Sequence, residues 1–222
     1  MNQNSPTIPA DEVEAIVGGY HGDPFSVLGP HAGEDELLIR AFLPRASGAS
    51  VIDRQSATSY AMNKLHDGGF FEVAIPDRDE AFDYRLEIKL HDGEVVLYED
   101  PYAFSSTFSD YDEYLLAEGT HRRLYDVLGA HQDELNGVAG VRFAVWAPNA
   151  LRVSLVGEFN NWDGRRHVMR FQHGSGVWDI FMPGLGLGVL YKFEIKTRHM
   201  DYTVVKSDPL AFYCELRPDT AS

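Results

Sequence analysis

The chain has 222 residues and a mass of 24.9 kDa, with 44% hydrophobic, 12% aromatic and 24% charged residues, a composition that supports a folded core and excludes a disordered or fibrous chain. Its 19 basic residues against 34 acidic ones give a net charge of −15, which repels a phosphate backbone or an anionic bilayer, so neither nucleic acid nor membrane is expected as a partner. A single cysteine, Cys214, excludes an internal disulfide, and with no leader-like N-terminus and no apolar run near the ~18 residues of a membrane span, the expected location is the cytoplasm.

In chain order, a short helix is predicted over 9–18, followed by Gly19-Tyr-His-Gly-Asp-Pro-Phe-Ser-Val-Leu-Gly-Pro-His31. Strands are predicted over 36–43, 50–54, 59–65 and 70–75. Phe82, Tyr84, Leu86 and Ile88 then alternate with Asp83, Arg85, Glu87 and Lys89, which means a strand with one buried and one wet face. A second helix is expected over 109–118, opened by Ser109 with Asp112 three residues on and closed by Gly119 with positive φ. Further strands fall at 140–147, 151–157, 167–172, 176–182, 191–196 and 201–206.

The two halves repeat one pattern. Gly19, His21, Val27, Leu28, Gly29 and His31 recur as Gly119, His121, Val127, Leu128, Gly129 and His131. Downstream Pro44 matches Pro148, Tyr84 matches Tyr191, and Asp100-Pro101 matches Asp208-Pro209, with an offset that only grows as loops lengthen. Ordered drift of that kind indicates two related domains, assigned to 1–108 and 109–222. Short strands with regular turn signals make the fold class all-β: two tandem immunoglobulin-like β-sandwiches, each preceded by a short helix.

The acids, though abundant, are framed by no recognisable catalytic motif, so no catalytic residue is assigned. Gly184-Leu-Gly-Leu-Gly188 bridges two predicted strands and reads as a turn rather than a phosphate loop. His21 with His31, and His121 with His131, lack matching Cys or acidic ligands, so hydrogen bonding within the fold is expected of them, and no metal or other cofactor.

The tryptophans carry more information. Trp146 and Trp178 correspond to Phe42 and Phe71 in the first copy, and aromatics at both copies on a strand are expected in the core. Trp162 lies in a turn, Asn160-Asn-Trp-Asp-Gly164, with no counterpart in the first copy. An exposed indole covers the C–H face of a pyranose ring while amides and cations bond its hydroxyls, which makes Trp162, Asn160, Asn161, Arg165, Arg166 and Lys192 candidate sugar-binding residues. On these residues alone, Trp162 folded back over the end of the sandwich is the competing reading.

Glu118-Gly-Thr-His121, Leu128-Gly-Ala-His131, Phe143-Ala-Val-Trp-Ala-Pro-Asn149, Gly157-Glu-Phe-Asn-Asn-Trp-Asp-Gly-Arg-Arg-His167 and Lys206-Ser-Asp-Pro209 together resemble the N-terminal region of bacterial 1,4-α-glucan (glycogen) branching enzymes. The resemblance implies a family 48 carbohydrate-binding module in the second copy and the extra N-terminal domain of the longer branching enzymes in the first. It implies α-1,4-glucan or glycogen as ligand and a (β/α)₈ barrel as the catalytic partner, whose carboxylates have no counterpart in these residues. Trp162 matches an aromatic platform of related modules and Lys192 the lysine beside it, while the second tryptophan of those modules is replaced by Val204-Val-Lys206. A free-standing glucan-binding or regulatory module and a scaffold that binds no sugar are the two other readings.

Overall fold

The computed structural model describes residues 7–33, 35–198, 202–216 and 218–222. They divide into two compact units, one comprising residues up to His21 with Phe25–Ala103, the other Gly22–Pro24 with Phe104–Ser222.

The first unit opens with helix α1 (Ala10–Gly18), which buries Val13 and Ile16, spaced by three, and ends on Gly19 in the left-handed region. Eight strands follow: β1 (Gly29–Ala32), β2 (Glu36–Phe42), β3 (Ala46–Asp53), β4 (Ser59–Ala61), β5 (Asn63–His66), β6 (Phe70–Pro76), β7 (Tyr84–Leu90) and β8 (Val95–Tyr98). They form two antiparallel sheets, β1-β2-β6-β5 and β4-β3-β7-β8. Their inner faces enclose Leu37, Ile39, Val51, Phe71, Ile75 and Leu86, each 1% exposed or less. The expected single strand over 59–65 is two strands in different sheets: Met62 drops into the core, and the chain turns the corner there.

The second unit repeats this plan with helix α2 (Asp110–Ala117) and strands β9 (Gly129–Leu135), β10 (Val138–Trp146), β11 (Ala150–Gly157), β12 (Arg170–Gln172), β13 (Val177–Pro183), β14 (Tyr191–Thr197) and β15 (Thr203–Lys206). Its antiparallel sheets are β12-β13-β10-β9 and β11-β14-β15, so the fold is all-β, two tandem sandwiches. Ser109 caps α2 by accepting from the Asp112 amide at 3.1 Å. Part of the expected strand 201–206 falls on Asp201, which lies outside the described residues.

The repeated residues have a shared physical job. Gly29 and Gly129 both take left-handed φ, 86° and 95°, and a Cβ on Gly29 would lie 2.5 Å from the Tyr102 carbonyl. His31 and His131 each place Nε2 about 3 Å from the carbonyl three residues back, of Leu28 and Leu128. His121 instead lies 2.9 Å from Asp112. The Tyr84 and Tyr191 hydroxyls donate to the buried carboxylates of Asp100 and Asp208, which also accept the amides of Tyr102 and Leu210. Each Asp-Pro pair therefore fixes the exit of its sandwich by tying the chain to a core strand.

Burial pushes the Asp100 carboxyl up to about 6, against the pull of the Tyr84 hydroxyl and the Tyr102 amide. The folded protein thus keeps a proton that the unfolded chain releases near its ordinary value of 3.8. This contribution is complete below 3.8 and disappears as pH rises through 6, a change of up to about 3 kcal/mol. The stability of wild type minus that of Asp100→Asn, which cannot ionise, should fall by about 2–3 kcal/mol between pH 4 and 7 in denaturant titrations. A flat or rising difference would mean that the fold holds the carboxylate ionised throughout.

Candidate functional site

Trp146 corrects one expectation from the repeat. Phe42 is 6% exposed, packed in a cluster with Val13, Ile16 and Phe70, whereas Trp146 is 57% exposed. Helix α1 packs Val13 and Ile16 into the cluster that holds Phe42, whereas in the second unit Leu116 of α2 packs against the cluster that holds Ala144 and Val177, and Trp146 stays outside it. Trp178 lies in the core as expected, 2% exposed, with its indole N–H donating to the Ala147 carbonyl at 3.0 Å.

Trp162 sits in the connection after β11, where the first unit has the turn between β3 and β4; the segment around Val168, which bridges to Ser154, takes the place of β4. After β11 the chain makes a 3-10 turn over Glu158–Asn160, and Asn161 and Trp162 follow with φ of 56° and 58°. Two successive non-glycine residues in the left-handed region are costly, more so for an aromatic one, and such strain is characteristic of sites that present a side chain. The Trp162 amide donates to the Gly157 carbonyl at 2.9 Å, and the indole is 42% exposed.

Asn160 holds this turn together and is fully buried. Its Oδ1 accepts the Gly157 amide at 3.0 Å, and its Nδ2 donates to the Leu155 carbonyl at 2.8 Å and lies 2.9 Å from His167 Nδ1. Burial first, then the positive charge of Arg166, pushes the His167 imidazole down to about 3, so the ring is neutral and its Nδ1 accepts the second amide hydrogen. With both its hydrogens and its oxygen engaged inside the fold, Asn160 has no group left for the hydroxyl-partner role expected from sequence; it holds the turn that carries Trp162. Gly164 closes the turn against β14, where a Cβ would lie 2.1 Å from the Glu194 carboxylate that pairs with Arg152.

Lys192, opposite Val156 on β14, carries its Nζ to 5.8 Å from the centre of the Trp162 ring while donating to the Thr220 hydroxyl at 2.8 Å. Sequence reasoning misses Thr220. It is brought here because the Ser222 backbone pairs with Tyr191, an association between distant residues that no local pattern announces. Asn161 is exposed beside the indole, and Arg166 is half-buried. Arg165 folds back on Asp163 through two hydrogen bonds of 2.9 and 2.7 Å. Partial burial opposes ionisation of Asp163, but this pairing outweighs it and holds the carboxyl below its ordinary range. The arrangement is a flat aromatic face with a cation at its rim and with hydroxyl and amide groups nearby, suited to a neutral ring bearing hydroxyls.

Residues 9–102 match the family described as alpha-1,4-glucan branching enzyme GlgB, N-terminal domain, and residues 127–211 match carbohydrate-binding module 48, the isoamylase N-terminal domain. The 1,4-alpha-glucan branching enzyme GlgB of Rhodopseudomonas palustris (strain BisA53) is 49% identical over 216 residues, which is 97% of this chain and 29% of that protein. Tandem sandwiches with these matches define a class of N-terminal domain and carbohydrate-binding module found in α-glucan enzymes. A solved pullulanase from Anoxybacillus sp. LM18-11 aligns with 87% of this chain and 27% of that one, at 18% identity and a TM-score of 0.35, a likeness too slight to carry an argument. More particularly, the chain matches the N-terminal part of a 1,4-α-glucan branching enzyme, with a GlgB-type N-terminal domain followed by a family 48 carbohydrate-binding module, and spans 29% of the length of the Rhodopseudomonas palustris enzyme.

Proposed function

We propose that the second unit binds α-1,4-glucan on the Trp162 face and positions it for a (β/α)₈ domain that transfers the cut chain from an α-1,4 to an α-1,6 linkage in cytoplasmic glycogen synthesis. The observation that carries this reading is the indole held outward on left-handed backbone, beneath the ammonium of Lys192. Asn161 and Arg166 supply hydroxyl partners at the rim, and Thr220 fixes the lysine. None of these groups is assigned a chemical step. A separate apolar groove of about 440 Å³, lined in part by exposed Leu187, Phe212 and Tyr213, is where that (β/α)₈ domain would pack, since it suits the surface of a packed domain better than a sugar rimmed with hydroxyls.

Stacking one aromatic on a ring is worth about 1–3 kcal/mol. Trp162→Ala should therefore weaken binding of maltoheptaose by roughly 10- to 100-fold in calorimetric titration, with unfolding free energy changed by less than about 1 kcal/mol. Binding equal to wild type would remove the platform from the reading.

A further inference from the structure

From the second tryptophan exposed on the same unit, we infer a second α-glucan contact at the opposite end of the β11 strand, with Trp146 as its aromatic face. The inference rests on the reading of this unit as glucan-binding. Trp146 is the most exposed of the three tryptophans, yet its ring is fixed: the indole N–H donates to the Ser175 carbonyl at 3.0 Å. A pre-oriented ring loses little side-chain freedom when a ligand settles on it.

The surroundings again set apolar walls beside amide and hydroxyl groups, here without a cation. The position that a Cβ on Gly176 would take is bounded by Pro148, 2.6 Å away, and by the Trp146 indole nitrogen at 3.5 Å, so the ring and Pro148 border one surface. Pro148 in turn lines a groove of about 370 Å³ with Ala147, Asn149, Ala150, Ile195 and Thr197. The groove combines apolar walls from Pro148 and Ile195 with the amide of exposed Asn149 and the hydroxyl of Thr197, the combination that a sugar's C–H face and hydroxyl rim require. Trp146 and Trp162 stand at the two ends of β11, whose eight residues span about 26 Å. Two faces so placed hold a long glucan at two points, and tethering at one raises the effective concentration at the other.

The test is titration of the whole chain with maltotriose, followed by NMR through the three indole N–H signals. The Trp146 and Trp162 signals should both shift while that of buried Trp178 stays, and in Trp162→Ala the Trp146 signal should shift with its midpoint unchanged within about twofold. Trp146→Ala should leave the Trp162 midpoint unchanged and weaken binding of long amylose by roughly tenfold or more, as loss of one of two linked contacts requires. A Trp146 signal that stays still while Trp162 saturates overturns the second contact and leaves the first intact. If neither signal moves, the glucan reading of the unit falls, and this inference with it.

Discussion

Trp178→Ala should lower the stability of the second unit by about 3–5 kcal/mol, the usual consequence of removing a large aromatic from a packed core. Three observations place it at the severe end. The side chain is among the largest fully buried ones, its ring packs on Phe171 with centroids 4.8 Å apart, and truncation strips the Ala147 carbonyl of the indole donor. Cavity and lost hydrogen bond act together, because the strand pairing of β13 with both β10 and β12 keeps the walls from collapsing inward. Guanidinium denaturation of the two single variants should separate Trp178→Ala from Trp162→Ala by at least about 2 kcal/mol. Equal midpoints would mean that Trp162 packs as a core residue and that its exposure has no functional bearing.

Much of this contrast is legible in the amino-acid sequence alone. Period-two alternation marks β7 and β14 because each has one wet face, and the internal repeat marks two sandwiches because each copy carries the same glycine, histidine and Tyr–Asp ties. Strands β1, β8 and β9 carry no such signal for a physical reason: all are edge strands, half-exposed or polar, such as Gly129–Leu135 with its Gln132, Asp133 and Glu134. The site is legible in part. A tryptophan in a turn with no partner in the other copy signals exposure, and Trp162 is exposed. The repeat misleads at Trp146, since equivalence of strand position does not extend to the cluster that encloses Phe42. The role of Asn160 is illegible for a different reason. An asparagine beside a platform looks the same in sequence whether it faces sugar or the Leu155 carbonyl, and only the 3-10 turn after Gly157 decides that it faces inward.

That inward-facing amide yields the second large effect. Asn160→Ala should destabilise the second unit by about 2–4 kcal/mol, because it leaves the Gly157 amide, the Leu155 carbonyl and His167 Nδ1 without their partner where water is excluded. It should also weaken glucan binding about as much as Trp162→Ala, though Asn160 has no surface to offer a sugar. The coupling runs through the backbone: the turn that Asn160 closes sets the left-handed conformation of Asn161 and Trp162, and without it the indole loses its fixed direction. His167 provides a readout that a direct ligand role would not move. With the buried amide gone and water admitted, its imidazole should titrate well above its present value of about 3 and nearer the ordinary 6.5, as followed by NMR of the ring protons. Loss of binding with an unchanged melt and an unchanged His167 titration would make Asn160 a direct sugar contact and overturn its assignment as the residue that holds the platform in place.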